Sequence, residues 1–368
     1  MRFFPRFSFR GYDWTLFLIV VVLSSIGLAA MYSIDLSRPE ELRSFPTQAL
    51  AFGIGLFVMA GISVFRVSWF ERMARLWYIA ALLLLIFVLF FGVTVRGTTG
   101  WFRLFGFSFQ PAEFAKVALV VFLGWWIERF GRRFDRWQFV VSTGLVAGLL
   151  ALPIAFQPDI GSMLMLVGVW FGLLFFSRTK KRYLFFLAMF FLLTSVIGWK
   201  FFLEDYQKER FLTFLNVNRD PLGSGYNVRQ SIIAVGAGGL KGRGLGFGSQ
   251  SQLRFLPEAH TDFIFSVIAE ELGFLGVSVL FLLYGALFYR LFRIALRSGS
   301  DFAAYTVLGI LFLFVLHGVV NIGGAVGVLP LTGVTLPFVS YGGTSLIMNC
   351  LLIGIAQSIG REGHTAGG

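Results

Sequence analysis

Residues 223–275 read GSGYNVRQSIIAVGAGGLKGRGLGFGSQSQLRFLPEAHTDFIFSVIAEELGFL. Glycine is denser here than anywhere else in the chain, and His260 and Asp262 stand two positions apart near its middle. On both sides the sequence is mostly apolar. That contrast decides the fold class, because a bilayer tolerates irregular polar backbone only where it meets water or lines a cavity. The stretch marks where a membrane protein would do its chemistry, with Asp262 as the focus.

Composition agrees. Of 368 residues, 57% are hydrophobic, 18% aromatic and 14% charged, with a mean hydropathy of +0.79. A soluble domain carries about 25% charged residues. The expected class is therefore an all-α polytopic membrane protein, a single transmembrane domain over 1–368. The net charge of +12 invites a nucleic-acid partner, but no recognisable nucleic-acid module accompanies it. Basic cytoplasmic loops facing anionic membrane lipids explain the charge without one. The single cysteine, Cys350, lies in an apolar run and excludes an intrachain disulfide. The basic leader MRFFPRFSFRGYDW is followed by an apolar segment with no A-x-A-like site, which reads as a first spanning helix rather than a signal peptide.

Apolar windows of about 20 residues mark spanning helices. They fall at 14–33, 47–65, 76–95, 111–128, 137–156, 160–177, 183–202, 262–290, 302–325 and 339–360, ten in all. Arginines and lysines cluster before the first window and after the second, fourth, sixth and eighth: Arg2, Arg6 and Arg10; Arg66, Arg72 and Arg75; Arg129, Arg132, Arg133 and Arg136; Arg178, Lys180, Lys181 and Arg182; Arg290, Arg293 and Arg297. The positive-inside rule then places both termini in the cytoplasm. Residues 203–261 become one large extracytoplasmic loop between the seventh and eighth helices. That side offers no nucleotide, so ATP-driven chemistry and a nucleotide cofactor are not expected.

Polar residues within the apolar background are the candidate site. Glu113 and Lys116, spaced i, i+3, suit one helix face. They are either a structural ion pair or an intramembrane functional pair. Trp101 precedes them, flanked by Arg96 and Arg103, and an interfacial aromatic belt accounts for it equally well. Asp159, after Pro158, reads as a helix N-cap that can still face a cavity. The run GAGGLKGRGLGFGS resembles a dinucleotide fingerprint in spacing but lacks βαβ context. Its glycines, with Lys241 or Arg243, suit either a diphosphate contact or a flexible loop. Thr261 or Asp262 would cap the eighth helix, with Asp262 about 12–15 Å beyond Glu270 and Glu271 at 1.5 Å per residue. Either that helix projects and packs against other protein, or it inserts deeply and carries the glutamates into the membrane. One His and one Asp make neither a metal site nor a triad. The uncharged segment NIGGAVGVLPLTGVTLPFVSYGGTS implies broken or re-entrant backbone around Pro330 and Pro337.

Taken together, FSFQPAEFAK (107–116), QPDIGS (157–162), GSGYN with Gln230, GGLKGRGLG, PEAHTDFIFS-IAEELG (257–273) and the glycine- and proline-rich motif from Asn321 through Ser345, which includes Ser340, resemble the SEDS family (shape, elongation, division and sporulation). These are peptidoglycan polymerases of the bacterial cytoplasmic (inner) membrane. The loop wording is more similar to the elongation branch than to the division branch. The resemblance implies a glycosyltransferase that joins lipid II into β-1,4 glycan strands at the outer face, with inversion. It implies a class B penicillin-binding protein (penicillin-binding protein 2 type) and other elongation-complex proteins as partners. It puts the essential aspartate at Asp262, as general base or as ligand to a divalent cation, Mg2+ or Mn2+. Glu113, Lys116, Trp101, Asp159, Gln230, Lys241, Arg243, Arg254, His260 and Ser340 become the substrate-binding or supporting set. A lipid II flippase and a non-catalytic scaffold for the transpeptidase are the rival readings.

Overall fold

The computed structural model describes residues 11–37, 44–95, 97–104, 107–130, 133–177, 179–201, 205–216 and 223–365. Arg2, Arg6, Arg10, Arg96, Arg132 and Arg178 lie outside the described residues. The helices run α1 Trp14–Leu36, α2 Ser44–Ser63, α3 Val67–Phe91, α4 Pro111–Arg129, α5 Trp137–Ala155, α6 Ile160–Phe176, α7 Lys181–Phe201, α8 Asp205–Leu215, α9 Ser224–Ala237, α10 Ser249–Gln252, α11 Ile264–Leu296, α12 Asp301–Ala325 and α13 Gly343–Thr365. Among the described residues, eight of these are long and apolar enough to cross a membrane, and α6 is a shorter apolar helix.

Local chemistry sets the helix starts. Asp13 accepts from Leu16 N at 3.0 Å to cap α1, and Asp159 accepts from Ser162 N at 2.9 Å to cap α6. Ser300 caps α12 through Ala303 N, and α4 opens on Pro111, whose missing N–H costs nothing in a first turn. The helix α4 is the hub. Fifteen of its nineteen residues are buried, as expected of a helix apolar on all sides. It packs against α3 on one flank and α12 on the other. The long contact between α2 and α13 uses small residues: Gly55 lies on Cys350, and Gly354 on Met59. The outlier is α7, which buries no residue and meets α6 through Phe191 on Trp170.

One end of the bundle gathers the basic clusters. There Arg290 pairs with Asp13, Val67 N donates to Glu362, and Phe302 N donates to Glu128. The opposite, distal end carries the described residues of 92–95, 97–104, 107–110, 205–216, 223–263 and 326–342.

Four expectations change. α3 begins at Val67 rather than 76, so Arg72 and Arg75 lie in its first turns, because a helix propagates past the membrane edge wherever its backbone bonds continue. Arg290 and Arg293 likewise belong to α11 rather than to the loop after it. The segment 203–261 is not an open loop but holds α8, α9 and α10. The fold is also not purely helical: Val93–Val95, Thr98–Leu104 and Phe107–Phe109 form an antiparallel sheet, β1-β2-β3, over the distal end.

Candidate functional site

Asp262 sits in a turn just ahead of α11, whose N-cap is Phe263. Neither Thr261 nor Asp262 therefore caps the helix; the Thr261 hydroxyl turns back to Glu258 instead. Three consecutive carbonyls of this turn are clamped. Tyr341 N donates to His260 O at 2.8 Å, Ser340 Oγ to Thr261 O at 2.7 Å, and Asn321 Nδ2 to Asp262 O at 3.2 Å. The His260 ring also stands edge-on to Tyr341, centroids 5.4 Å apart. Burial holds the Tyr341 hydroxyl above its ordinary range, so it stays protonated at neutral pH. A turn with every carbonyl occupied keeps one backbone conformation, and that fixes where the Asp262 carboxylate leaves the chain.

Asn321 belongs to α12, while Ser340 and Tyr341 come from the re-entrant segment between α12 and α13, itself pinned at several points. Gln48 donates to Ser340 O and accepts from Gly342 N. Tyr284 OH donates to Pro337 O at 2.6 Å, and Thr344 Oγ1 donates to Ser108 O, which ties β3 to the same place. α13 accordingly starts at Gly343, not 339.

Beneath this segment lies the buried ion pair. Lys116 Nζ is 2.8 Å from Glu113 Oε1 and 3.3 Å from His317 Nε2. His317 Nδ1 lies 3.0 Å from Thr335 O. A carbonyl only accepts, so Nδ1 carries the hydrogen and Nε2 offers its lone pair to the lysine. Asn321, one turn further along α12, holds Val334 O at 2.8 Å as well as Asp262 O. Two neighbouring carbonyls, of Val334 and Thr335, thus connect the ion pair to the Asp262 turn. Sequence reasoning missed His317, Asn321 and Gln48. A lone histidine in LFLFVLHGVVN was the available signal, since an ionisable group at membrane depth needs a reason.

The other candidates are dispersed. Asp159 caps α6, and its second oxygen accepts from Gln110 at 3.2 Å, at the start of α4. Trp101 lies half-buried in β2 opposite Val93, and Gln230 half-buried in α9. Arg254 reaches Ser37 O beyond the end of α1. Lys241 and Arg243 belong to the glycine run, which has a structural task. α11 is broken at Gly273 (φ 64°, ψ −163°), a conformation that glycine adopts without the strain a side chain would bring. Residues 239–244 fill the break. Arg243 N donates to Glu270 O, Gly244 N to Glu271 O, Phe274 N to Gly239 O, and Leu275 N to Leu240 O, all at 2.9–3.1 Å. A Cβ on Gly242 or Gly273 would strike the other strand's backbone. The run is neither a flexible loop nor a free set of amides awaiting phosphate: the N–H groups of Arg243 and Gly244 are spent on the splice.

The helix limb Ile264–Leu272 before the break is buried from Ile264 through Glu271. Glu271 meets Ser33, close to the end of α1, while Asp262 is held by Asn321, close to the end of α12. The limb therefore packs against helix ends rather than projecting beyond them. Among the described residues no group of three or more His, Cys, Asp or Glu stands ready for a metal ion. Asp262 alone matches only the way Mg2+ is commonly held, by one or two carboxylates, water and the phosphates of a substrate.

A family model for cell cycle proteins, FtsW, RodA and SpoVE, matches residues 13–365. The chain is 36% identical to a probable peptidoglycan glycosyltransferase FtsW of Thiomicrospira cyclica, over 97% of this chain and 94% of that one. It is 35% identical to the peptidoglycan glycosyltransferase MrdB of Escherichia coli K12, over 94% and 93%. Among solved structures, a peptidoglycan synthase complex that coordinates polymerization and crosslinking contains a chain with a TM-score of 0.82 at 31% identity, covering 96% of this chain and 98% of that one. The rod shape determining protein RodA of Thermus thermophilus gives 0.72 at 30%, covering 95% and 97%.

Proposed function

The chain belongs to the FtsW, RodA and SpoVE family of cell cycle proteins, and we propose that it is an inner-membrane peptidoglycan glycosyltransferase that polymerises lipid II. α4 and α6 complete ten spanning helices in this reading, with both termini and the basic face in the cytoplasm. Asp262 and the re-entrant segment then meet the donor diphosphate at the outer face. The observation that carries the proposal is the clamped 260–262 turn, whose backbone holds Asp262 in one place and is connected through Asn321 and the Val334 and Thr335 carbonyls to the buried Lys116.

Conversion of an α-linked diphosphate donor into a β-1,4 product requires one inverting displacement. Asp262 takes the proton from the acceptor 4-hydroxyl as that oxygen attacks, a role worth about 10²–10⁴-fold in rate. Lys116 stabilises the departing diphosphate. Two of the three ammonium donors go to Glu113 and His317, which leaves one for the reaction. Lys241, Arg243 and Arg254 are exposed, and the two arginines are tied elsewhere, so the three serve at most the rim. A divalent cation held by Asp262 and the substrate diphosphate would supply further positive charge at the leaving group.

The reading as an enzyme is favoured over a transporter by the placement of buried charge. Among the described residues, the buried Asp, Glu and Lys side chains are Asp35, Glu113, Lys116, Glu270 and Glu271. All lie toward the distal end, and a lipid-diphosphate path through the bundle would need charge toward the basic end too. The partner in this reading is a class B penicillin-binding protein. The loop wording supports a role in elongation rather than division, while relatives of both kinds, FtsW and MrdB, are similarly alike.

The test is glycan formation from lipid II by the purified chain with its transpeptidase. Asp262→Asn should abolish glycan strands while complex formation persists; wild-type rates would remove Asp262 from the mechanism. Chelation, then restoration of Mg2+ or Mn2+, should abolish and restore the same signal if the cation takes part.

A further inference from the structure

At the basic end, far from Asp262, a small open recess lies where α1, α11 and α13 meet. Asp13, Arg290, Arg293, Arg297, Gly360 and Gly363 line it, over a floor of Ile294 and Ile359. Its walls are held rigidly. The Gln357 side chain bonds both ways to the Asp13 backbone, donating to O at 2.8 Å and accepting from N at 3.0 Å. The Asp13 carboxylate caps α1 with one oxygen and receives the Arg290 guanidinium on the other, Nε at 2.8 Å. Arg290 is thereby committed.

Arg293 and Arg297 are not. Among the described residues neither has a carboxylate partner; Arg293 leans over the Tyr289 ring, 5.7 Å from its centroid, and makes one long bond to the Tyr289 hydroxyl at 3.5 Å. Elsewhere on this face Lys180 pairs with Asp135, and Arg129 stacks on Trp125 at 4.5 Å. Three arginines against one aspartate leave the recess with a surplus of two positive charges. Free of any carboxylate among the described residues, the two guanidiniums present planar forks suited to phosphate oxygens. The recess also opens onto apolar surface. Leu282, Tyr289 and Leu296, spaced by seven along α11, are 72%, 57% and 69% exposed, with Trp14 of α1 alongside at 58%.

We propose that this recess binds the phosphate headgroup of an anionic phospholipid, with its acyl chains along the Leu282–Tyr289–Leu296 stripe. Basic pockets between helices at the cytoplasmic leaflet take such headgroups. Gly360 and Gly363 supply the clearance: a Cβ on Gly360 would lie 3.3 Å from Ile294, and one on Gly363 3.1 Å from Arg297 O.

Native mass spectrometry of the purified full chain tests this, with phosphatidylglycerol and phosphatidylcholine added at equal concentration. The wild type should retain phosphatidylglycerol preferentially. Arg293→Gln with Arg297→Gln should lower that retention by about tenfold or more, as basic residues near an anionic headgroup act in concert. Lys181→Gln with Arg182→Gln, on α7, should leave it unchanged. Equal losses in the two double variants would mean bulk attraction to headgroups and overturn the site. Displacement of the lipid by millimolar inorganic phosphate would overturn the lipid assignment and leave a phosphate site. Arg293→Lys with Arg297→Lys keeps the charge but not the fork, and should give an intermediate loss. None of these readouts depends on glycan synthesis, so they stand or fall apart from the enzymatic assignment.

Discussion

Two buried acidic clusters lie near the distal end of the bundle, and they are satisfied in opposite ways. Glu113 is matched by a cation, Lys116, which in turn bonds His317. Glu270 and Glu271 have no Lys or Arg bonded to them among the described residues. Glu270 accepts from the N–H groups of Gln250 and Ser251 and from Ser249 Oγ, and Glu271 from Ser33. The first cluster is attached to the turn that bears Asp262; the second to the splice that mends α11. A buried charge pair is costly to keep and often replaceable by apolar side chains, so its retention beside the Asp262 turn fits the chemistry proposed for that turn. Carboxylates that accept backbone amides act as internal caps and point to architecture.

Substitutions in the two clusters should therefore separate activity from stability. The largest effect is expected at the turn: Asp262→Asn should lower the glycan polymerisation rate by about 10²–10⁴-fold with the melting temperature unchanged. Next, Lys116→Met leaves Glu113 buried and unpaired, and should cost about 3–5 kcal/mol of stability. The double variant Glu113→Gln, Lys116→Met should recover most of that in a thermal melt yet remain inactive. Recovery of activity with stability would make the pair purely structural. At the splice, Gly273→Ala forces a side chain into a positive-φ position against the Gly242 backbone and should destabilise by about 1–3 kcal/mol, with activity falling only as folded protein is lost. Glu270→Gln turns an amide NH2 toward an N–H group and should cost about 1–3 kcal/mol. The smallest change belongs to Glu271→Gln. Among the described residues its Oε2 has no hydrogen-bond partner, so the melt should move by less than about 1 kcal/mol. A large loss there would show that the carboxylate, and not merely its shape, holds the splice.

Much of the bundle was legible because hydropathy and basic clusters both report membrane depth. The windows at 14–33, 137–156, 160–177 and 302–325 fall within a few residues of α1, α5, α6 and α12. Depth is also the limit of that signal. α3 starts nine residues before its apolar window because helical bonding continues through Glu71, Arg72 and Arg75 into water. The geometry of the candidate site was legible in part: Ser340 bonds the Thr261 carbonyl within the turn of His260 and Asp262, and Asp159 is the cap its position suggested. The glycine run was misread because its meaning lies in a break some thirty residues downstream, at Gly273. No local pattern in LKGRGLG announces which backbone it will bond. His317 likewise acquires its role only when α12 packs on α4.

The clamped turn also has a consequence for the order in which the protein matures. Chains fold broadly from the N-terminus as they are made. The splice joins residues 239–244 to 270–275 and leans on Ser33, all of which are available before α12 emerges. The three groups that seat the Asp262 turn come later, from Asn321, Ser340 and Tyr341. A nascent chain can thus assemble most of its scaffold while the carboxylate proposed to react, Asp262, is still unseated. The machinery becomes competent only near the end of synthesis, which delays glycan chemistry until the scaffold around it is complete.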